Sequence, residues 1–176
     1  MNDTYEKLYI HLDLDGTLAV WRTDVPQSAI YVPKYFLNLP PTSLLSGVRQ
    51  FIMEHTVNGK VIWKNKELIF LILSAYLEET NALWEKDMWS DTFIHEISKE
   101  RKIFVPCGGK MKCKAAEEYL GRPLSKNDIL IDDYSKNLTE WENEGGLAVK
   151  YLNGINGKGN VWKGKRIRTF SELFAA

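Results

Sequence analysis

Asp13, Asp15, Gly16 and Thr17 stand in the order D-L-D-G-T directly after the apolar run Leu8-Tyr9-Ile10-His11-Leu12. Such a run predicts a buried strand, so both carboxylates fall at a strand end, and glycine serves the turn that follows. Two acids this close disfavour joint ionisation unless a cation or a reaction holds them. The pair suits phosphoryl transfer, with one carboxylate attacking phosphorus and the other moving a proton.

Three further groups fall where that chemistry needs them. The apolar run Leu68 to Leu73 ends in Ser74-Ala75, which puts a hydroxyl at a second strand end. Ile129-Leu130-Ile131 ends in Asp132-Asp133, a second acidic pair. Lys114 opens a predicted helix, where its ammonium and the free N–H groups suit an anion. Asp13, Asp132 and Asp133, with Asp15 beside them, make an oxygen-rich site that suits Mg²⁺. Lys114 and Ser74, with Thr17 and Ala75 beside the two strand ends, would hold the phosphate oxygens. Lys114 is preferred among three lysines because Ala115-Ala116-Glu117 continues it as a helix start; Lys112 and Lys110 stay open. Each signal alone has an ordinary structural use, as an N-cap, a turn serine or a solvated lysine. Their weight lies in convergence on one edge of one sheet.

The elements that must position these groups alternate. Strands are predicted near 8–12, 68–73, 103–105, 129–131 and 147–149, and helices near 43–54, 81–89, 93–100, 114–120 and 136–144. Unbroken apolar strands alternating with helices predict an α/β fold, a mainly parallel sheet covered on both faces. Ligands in such sheets bind outside the carboxyl ends of the strands. Residues 20–42 carry Trp21, Tyr31, Tyr35 and Phe36 with no clean period and directly follow the acidic motif. They predict a small cap over the site, extending to 67 at most, with 1–19 and 43–176 as the core. Asn58-Gly59 predicts a hairpin turn. Trp21, Tyr35 and Phe36 either stack on a substrate or pack the cap itself.

Composition narrows the class. The chain has 176 residues, with 44% hydrophobic and 26% charged, ordinary for one globular domain. Lys plus Arg and Asp plus Glu both number 23, so no global basic field favours a nucleic-acid polymer or a membrane surface. No apolar run is long enough to span a bilayer. The start, Met1-Asn2-Asp3-Thr4, has no basic leader, and the expected location is cytoplasmic. Cys107 and Cys113 make no disulfide framework, and the scattered His11, His55 and His95 do not complete a zinc site. His11 is expected to point away from the acids into a satisfied polar contact. Lys158, Lys163, Lys165, Arg166 and Arg168 read as a solvated tail.

Taken together, D-L-D-G-T, the L-S-A strand end, a lysine and I-L-I-D-D resemble the haloacid dehalogenase (HAD) superfamily of phosphatases. The resemblance implies a Rossmann-like three-layer sandwich with a cap inserted after the first strand. It implies Asp13 as nucleophile, Asp15 as acid/base, Ser74 at the phosphate, and Asp132 with Asp133 at the metal. Tyr35-Phe36-Leu37-Asn38-Leu39-Pro40, Asn81-Ala82 with Lys86 and Trp89, and Asp132-Asp133-Tyr134 with Asn137 are similar to bacterial and phage 5'(3')-deoxyribonucleotidases. That implies a small phosphorylated metabolite, a deoxynucleoside monophosphate, as partner of a monomer or homodimer. The rival expectations are a phosphatase of another small phosphomonoester and a non-catalytic phosphate-binding module on the same fold.

Overall fold

The structure, a computed structural model, describes residues 5–156 and 162–175. Lys158 lies outside the described residues, as does the rest of 157–161. The strands are β1 (Glu6–Leu12), β2 (Thr56–Val57), β3 (Lys60–Trp63), β4 (Lys66–Tyr76), β5 (Lys102–Pro106), β6 (Asp128–Asp132), β7 (Leu147–Tyr151) and β8 (Lys165–Ile167). The helices are α1 (Ser43–His55), α2 (Ala82–Phe93), α3 (Lys112–Leu120) and α4 (Ser135–Asn143). They build one sheet in the order β2-β3-β4-β1-β6-β7-β8, with β5 paired to the far end of β4. Pairing is parallel from β5 through β8 and antiparallel only at β2–β3 and β3–β4. This is the expected α/β architecture.

Side-chain alternation divides the interior into two layers. Ile10, Leu12, Ile72, Ile129 and Ile131 face α1, which buries Leu44, Leu45, Val48 and Ile52, and the C-terminal turn with Phe170 and Leu173. Leu73, Leu130 and Ala148 face the opposite way, onto Ala116 of α3 and Leu138 and Trp141 of α4. Successive strand residues point to opposite faces, so continuous apolar runs are what a doubly covered sheet requires. His11 joins the second layer, edge-on to Trp141 at 4.8 Å between ring centroids. It points away from the acids as expected, but among the described residues neither ring nitrogen has a hydrogen-bond partner. Burial pushes it down to about 4.

All five predicted strands lie inside observed ones. The helix predicted over 93–100 does not form. The chain leaves α2 at Phe93, and Ile94 (φ −143°, ψ 54°) and Ile97 are both buried in the first layer. A continued helix would have to give up that anchoring for a largely polar stretch. Helix α3 begins at Lys112, two residues before its predicted start, after an extended Met111. Asn58 and Gly59, both at positive φ, make the expected hairpin turn, which adds β2 and β3 to the sheet edge.

Residues 20–42 leave the C-terminal end of β1 and return to it. Val20 N–H donates to the Pro40 carbonyl (2.8 Å), and the Thr42 hydroxyl donates to the Thr17 carbonyl (2.6 Å). Only a short 3-10 turn, Gln27–Tyr31, is regular within the excursion. No helix among the described residues is long and apolar enough to cross a membrane.

Candidate active site

The central strands β1, β4 and β6 run parallel, so their carboxyl ends share one edge. Asp13 follows β1, Ser74 and Ala75 lie near the end of β4, and Asp132 ends β6. Asp13 N–H donates to the Ile131 carbonyl (3.1 Å), which ties the first acid to the strand carrying the second pair. Carboxylate oxygens of Asp13, Asp132 and Asp133 all lie within 4.8 Å of one another. Asp13 and Asp133 border a cavity of about 520 Å³ lined also by Asp15, Trp21, Ala75, residues 105–112, Tyr134 and Asn137, among others. Its size falls in the range of small-molecule sites.

Lys112 is the cation of this cluster. Its Nζ lies 2.7 Å from Asp13 Oδ1 and 2.7 Å from Asp132 Oδ2, with its side chain 7% exposed. Lys114, preferred from sequence, instead pairs with Glu117 (3.0 Å) and Glu144 (2.6 Å) on the outer side of α3. Lys110 pairs with Glu118. The earlier helix start explains the correction. It moves Lys112 into the first turn, and a step of two residues swings Lys114 about 200° around the axis.

The electrostatics are those of an overcrowded anionic site. Burial pushes the Asp13 carboxyl up to about 8; Lys112 opposes the rise, and Asp132, Asp15 and Asp133 add to it. Burial likewise raises Asp133 to about 6, again with Asp132 adding to the rise. Lys112 moves upward because its buried charge is held by Asp13 and Asp132. One lysine does not balance three carboxylates.

Backbone and amide donors fix the acids' orientation. Tyr134 N–H (2.8 Å) and Asn137 Nδ2 (2.9 Å) donate to Asp132, and Asn153 Nδ2 donates to Asp133 Oδ2 (3.0 Å) and to the Gly16 carbonyl (2.9 Å). Gly16, at φ +75°, is packed so closely that a Cβ would overlap the Asp133 carboxylate. The glycine of D-L-D-G-T thus makes the turn and also gives Asp133 its space.

The remaining sequence-selected residues divide. Asp15 and Ala75 line the cavity, but the Asp15 carboxylate pairs with Lys86 and stands outside the three-acid cluster expected to include it. Ser74 is fully buried, with Lys86 Nζ at 3.3 Å from its hydroxyl. Thr17 is fully buried too, does not line the cavity, and its hydroxyl has no partner among the described residues. Trp21 reaches the cavity; Phe36 is buried in the first layer with Tyr35 edge-on to it at 5.1 Å. Lys86 enters the sequence reading only as a point of resemblance, and Asn153 is not among the candidate site residues. Their partners are distant in the chain, so no local pattern marks them.

No family model matches the chain, and neither does any curated protein sequence. Among solved structures, a HAD-superfamily hydrolase from Ehrlichia chaffeensis is similar over 96% of this chain and 94% of its own, at 13% identity and a TM-score of 0.58. A likeness at that identity speaks for architecture: the chain has the HAD-like, Rossmann-type α/β fold.

Proposed function

We propose that the protein is a Mg²⁺-dependent phosphomonoesterase that works through an aspartyl-phosphate on Asp13. The observation that carries this is the meeting of Asp13 with Lys112 and the Asp132–Asp133 pair at the carboxyl edge of the sheet. The donor set fits a hard dication: three carboxylates converge, and burial with mutual repulsion raises two of them. Asp13, Asp132 and Asp133 would hold Mg²⁺, which when bound offsets the charge of the phosphate and of its transition state.

The chain's own groups divide the reaction. An Asp13 oxygen bonds to phosphorus while the bond to the leaving oxygen breaks, and Asp15 gives that oxygen a proton. Water then attacks the phosphorus, Asp15 takes its proton, and Asp13 is released. Lys112 steadies the Asp13 carboxylate and the equatorial oxygens, where charge accumulates. The substrate is a nucleoside monophosphate, a deoxy one, with residues 20–42 as the cap and Trp21 against the base. Support for that finer reading is the motif resemblance and the position of Trp21. A broader phosphomonoesterase is the second reading, because Trp21 is the one of the three expected aromatics that lines the cavity.

The test is phosphate release from a panel of phosphorylated metabolites with and without Mg²⁺. Asp13→Asn should lower turnover by at least about 10³-fold while its circular dichroism matches wild type. Near wild-type turnover in that variant would sink the mechanism. Preference for sugar phosphates over every nucleotide would sink the substrate assignment alone.

A further inference from the structure

Lys86 sits on α2, 2% exposed, and its ammonium is fully spent. It donates to Asp15 Oδ2, to the Ala75 carbonyl and to the Ser74 hydroxyl (3.3 Å). The Phe36 ring lies 4.6 Å from the same nitrogen. A lysine has three N–H donors, and burial is tolerated when all three find acceptors. Here the acceptors come from two strand ends, and the ring closes the remaining side.

The two lysines split the acids of D-L-D-G-T. Lys112 holds Asp13 and leaves Asp15 alone; Lys86 holds Asp15 and leaves Asp13 alone. A carboxyl that transfers protons needs one oxygen fixed and the other free. A bond from Lys86 to Oδ2 leaves Oδ1 as the atom that carries the proton.

We propose that Lys86 is the positioning residue of Asp15: by occupying Oδ2 it commits Oδ1 to giving a proton to the leaving oxygen and later taking one from water. The inference rests on the phosphatase reading. Lys86 itself neither gains nor loses a proton. Phe36 keeps water from the ammonium, which ties the overhanging segment to the acid's orientation.

Leaving groups separate this role from a structural one. An alkyl phosphate needs its leaving oxygen protonated, whereas p-nitrophenyl phosphate expels a stable phenolate and hardly does. The probes are p-nitrophenyl phosphate and whichever alkyl ester the wild type cleaves fastest, compared by kcat/KM. Lys86→Met should lose about 100-fold on the alkyl ester and under about 5-fold on the aryl ester. Lys86→Arg, which keeps a donor, should recover the alkyl ester to within about 5-fold of wild type. If Lys86→Met does not fold, the same ratio is read on Lys86→Leu, which likewise has no donor. An equal loss on both esters, or no loss, overturns the positioning role and leaves the phosphatase standing. A wild type inactive on every ester overturns the phosphatase reading and this inference with it.

Discussion

Lys112 and Lys114 lie two residues apart on α3, and that spacing gives them opposite environments. Lys112 is buried between Asp13 and Asp132, while Lys114 is 41% exposed between two surface glutamates. Screening by solvent leaves a surface pair little influence on the cavity. Lys112 by contrast holds Asp13, the carboxylate proposed to attack. Lys112→Ala should therefore lower kcat/KM by about 10²–10³-fold, and Lys114→Ala should stay within about twofold of wild type. Steady-state phosphate release on both variants checks this, and the reverse pattern would return the phosphate-binding role to Lys114.

Helix α2 does at the junction of its first and second turns what loops do in other sites. Glu85 accepts N–H bonds from Lys34 (2.6 Å), Phe36 (3.0 Å) and Leu37 (3.4 Å), so a run of inward backbone donors closes on one carboxylate. The next residue, Lys86, reaches Asp15. One helix thus pins both the overhanging segment and the acid beneath it. Glu85→Ala leaves the buried Phe36 N–H and the part-buried Lys34 and Leu37 N–H groups without that acceptor and should cost about 1–3 kcal/mol of stability. The urea midpoint measures the loss, and early proteolytic cleavage within 20–42 should accompany it. A variant as stable as wild type would show that this anchoring does not hold the segment. The sequence could not reveal the arrangement. Glu85 and Lys86 look like a solvated helix face, and their partners lie 11 to 71 residues away. The strands were legible because their apolar runs face two covering layers, whereas the end of α2 depends on the burial of Ile94 and Ile97 and the start of α3 on the burial of Lys112, which only tertiary contacts decide. The misplaced start of α3 is what put Lys114 forward in place of Lys112.

At the scale of the whole molecule, the acidic edge trades stability for chemistry. Asp13 titrates near 8 when folded and near its ordinary 3.8 when unfolded, so the folded protein holds the extra proton between those values. Stability from this group is present at low pH and is lost as pH rises through 8. Asp133, raised to about 6, acts the same way over a lower window. His11 opposes them: lowered from 6.5 to about 4, its contribution is present above 6.5 and lost as pH falls towards 4. Between 4 and 6 His11 offsets only one of the two acids; between 6.5 and 8 Asp13 acts with no counterweight from His11. The melting temperature of the metal-free protein should therefore fall from pH 6.5 to 8. Asp13→Asn has no proton to lose there, so its melting temperature should be flatter over that interval and higher than wild type at pH 8. Mg²⁺ at 100 times its dissociation constant should restore about 2.7 kcal/mol to wild type at pH 8 and markedly less to the variant, which lacks one of the three ligands. Thermal melts of both proteins at the two pH values, with and without Mg²⁺, decide the matter. Parallel curves for wild type and Asp13→Asn would mean that Asp13 is not the strained charge, and that the cation is not held there.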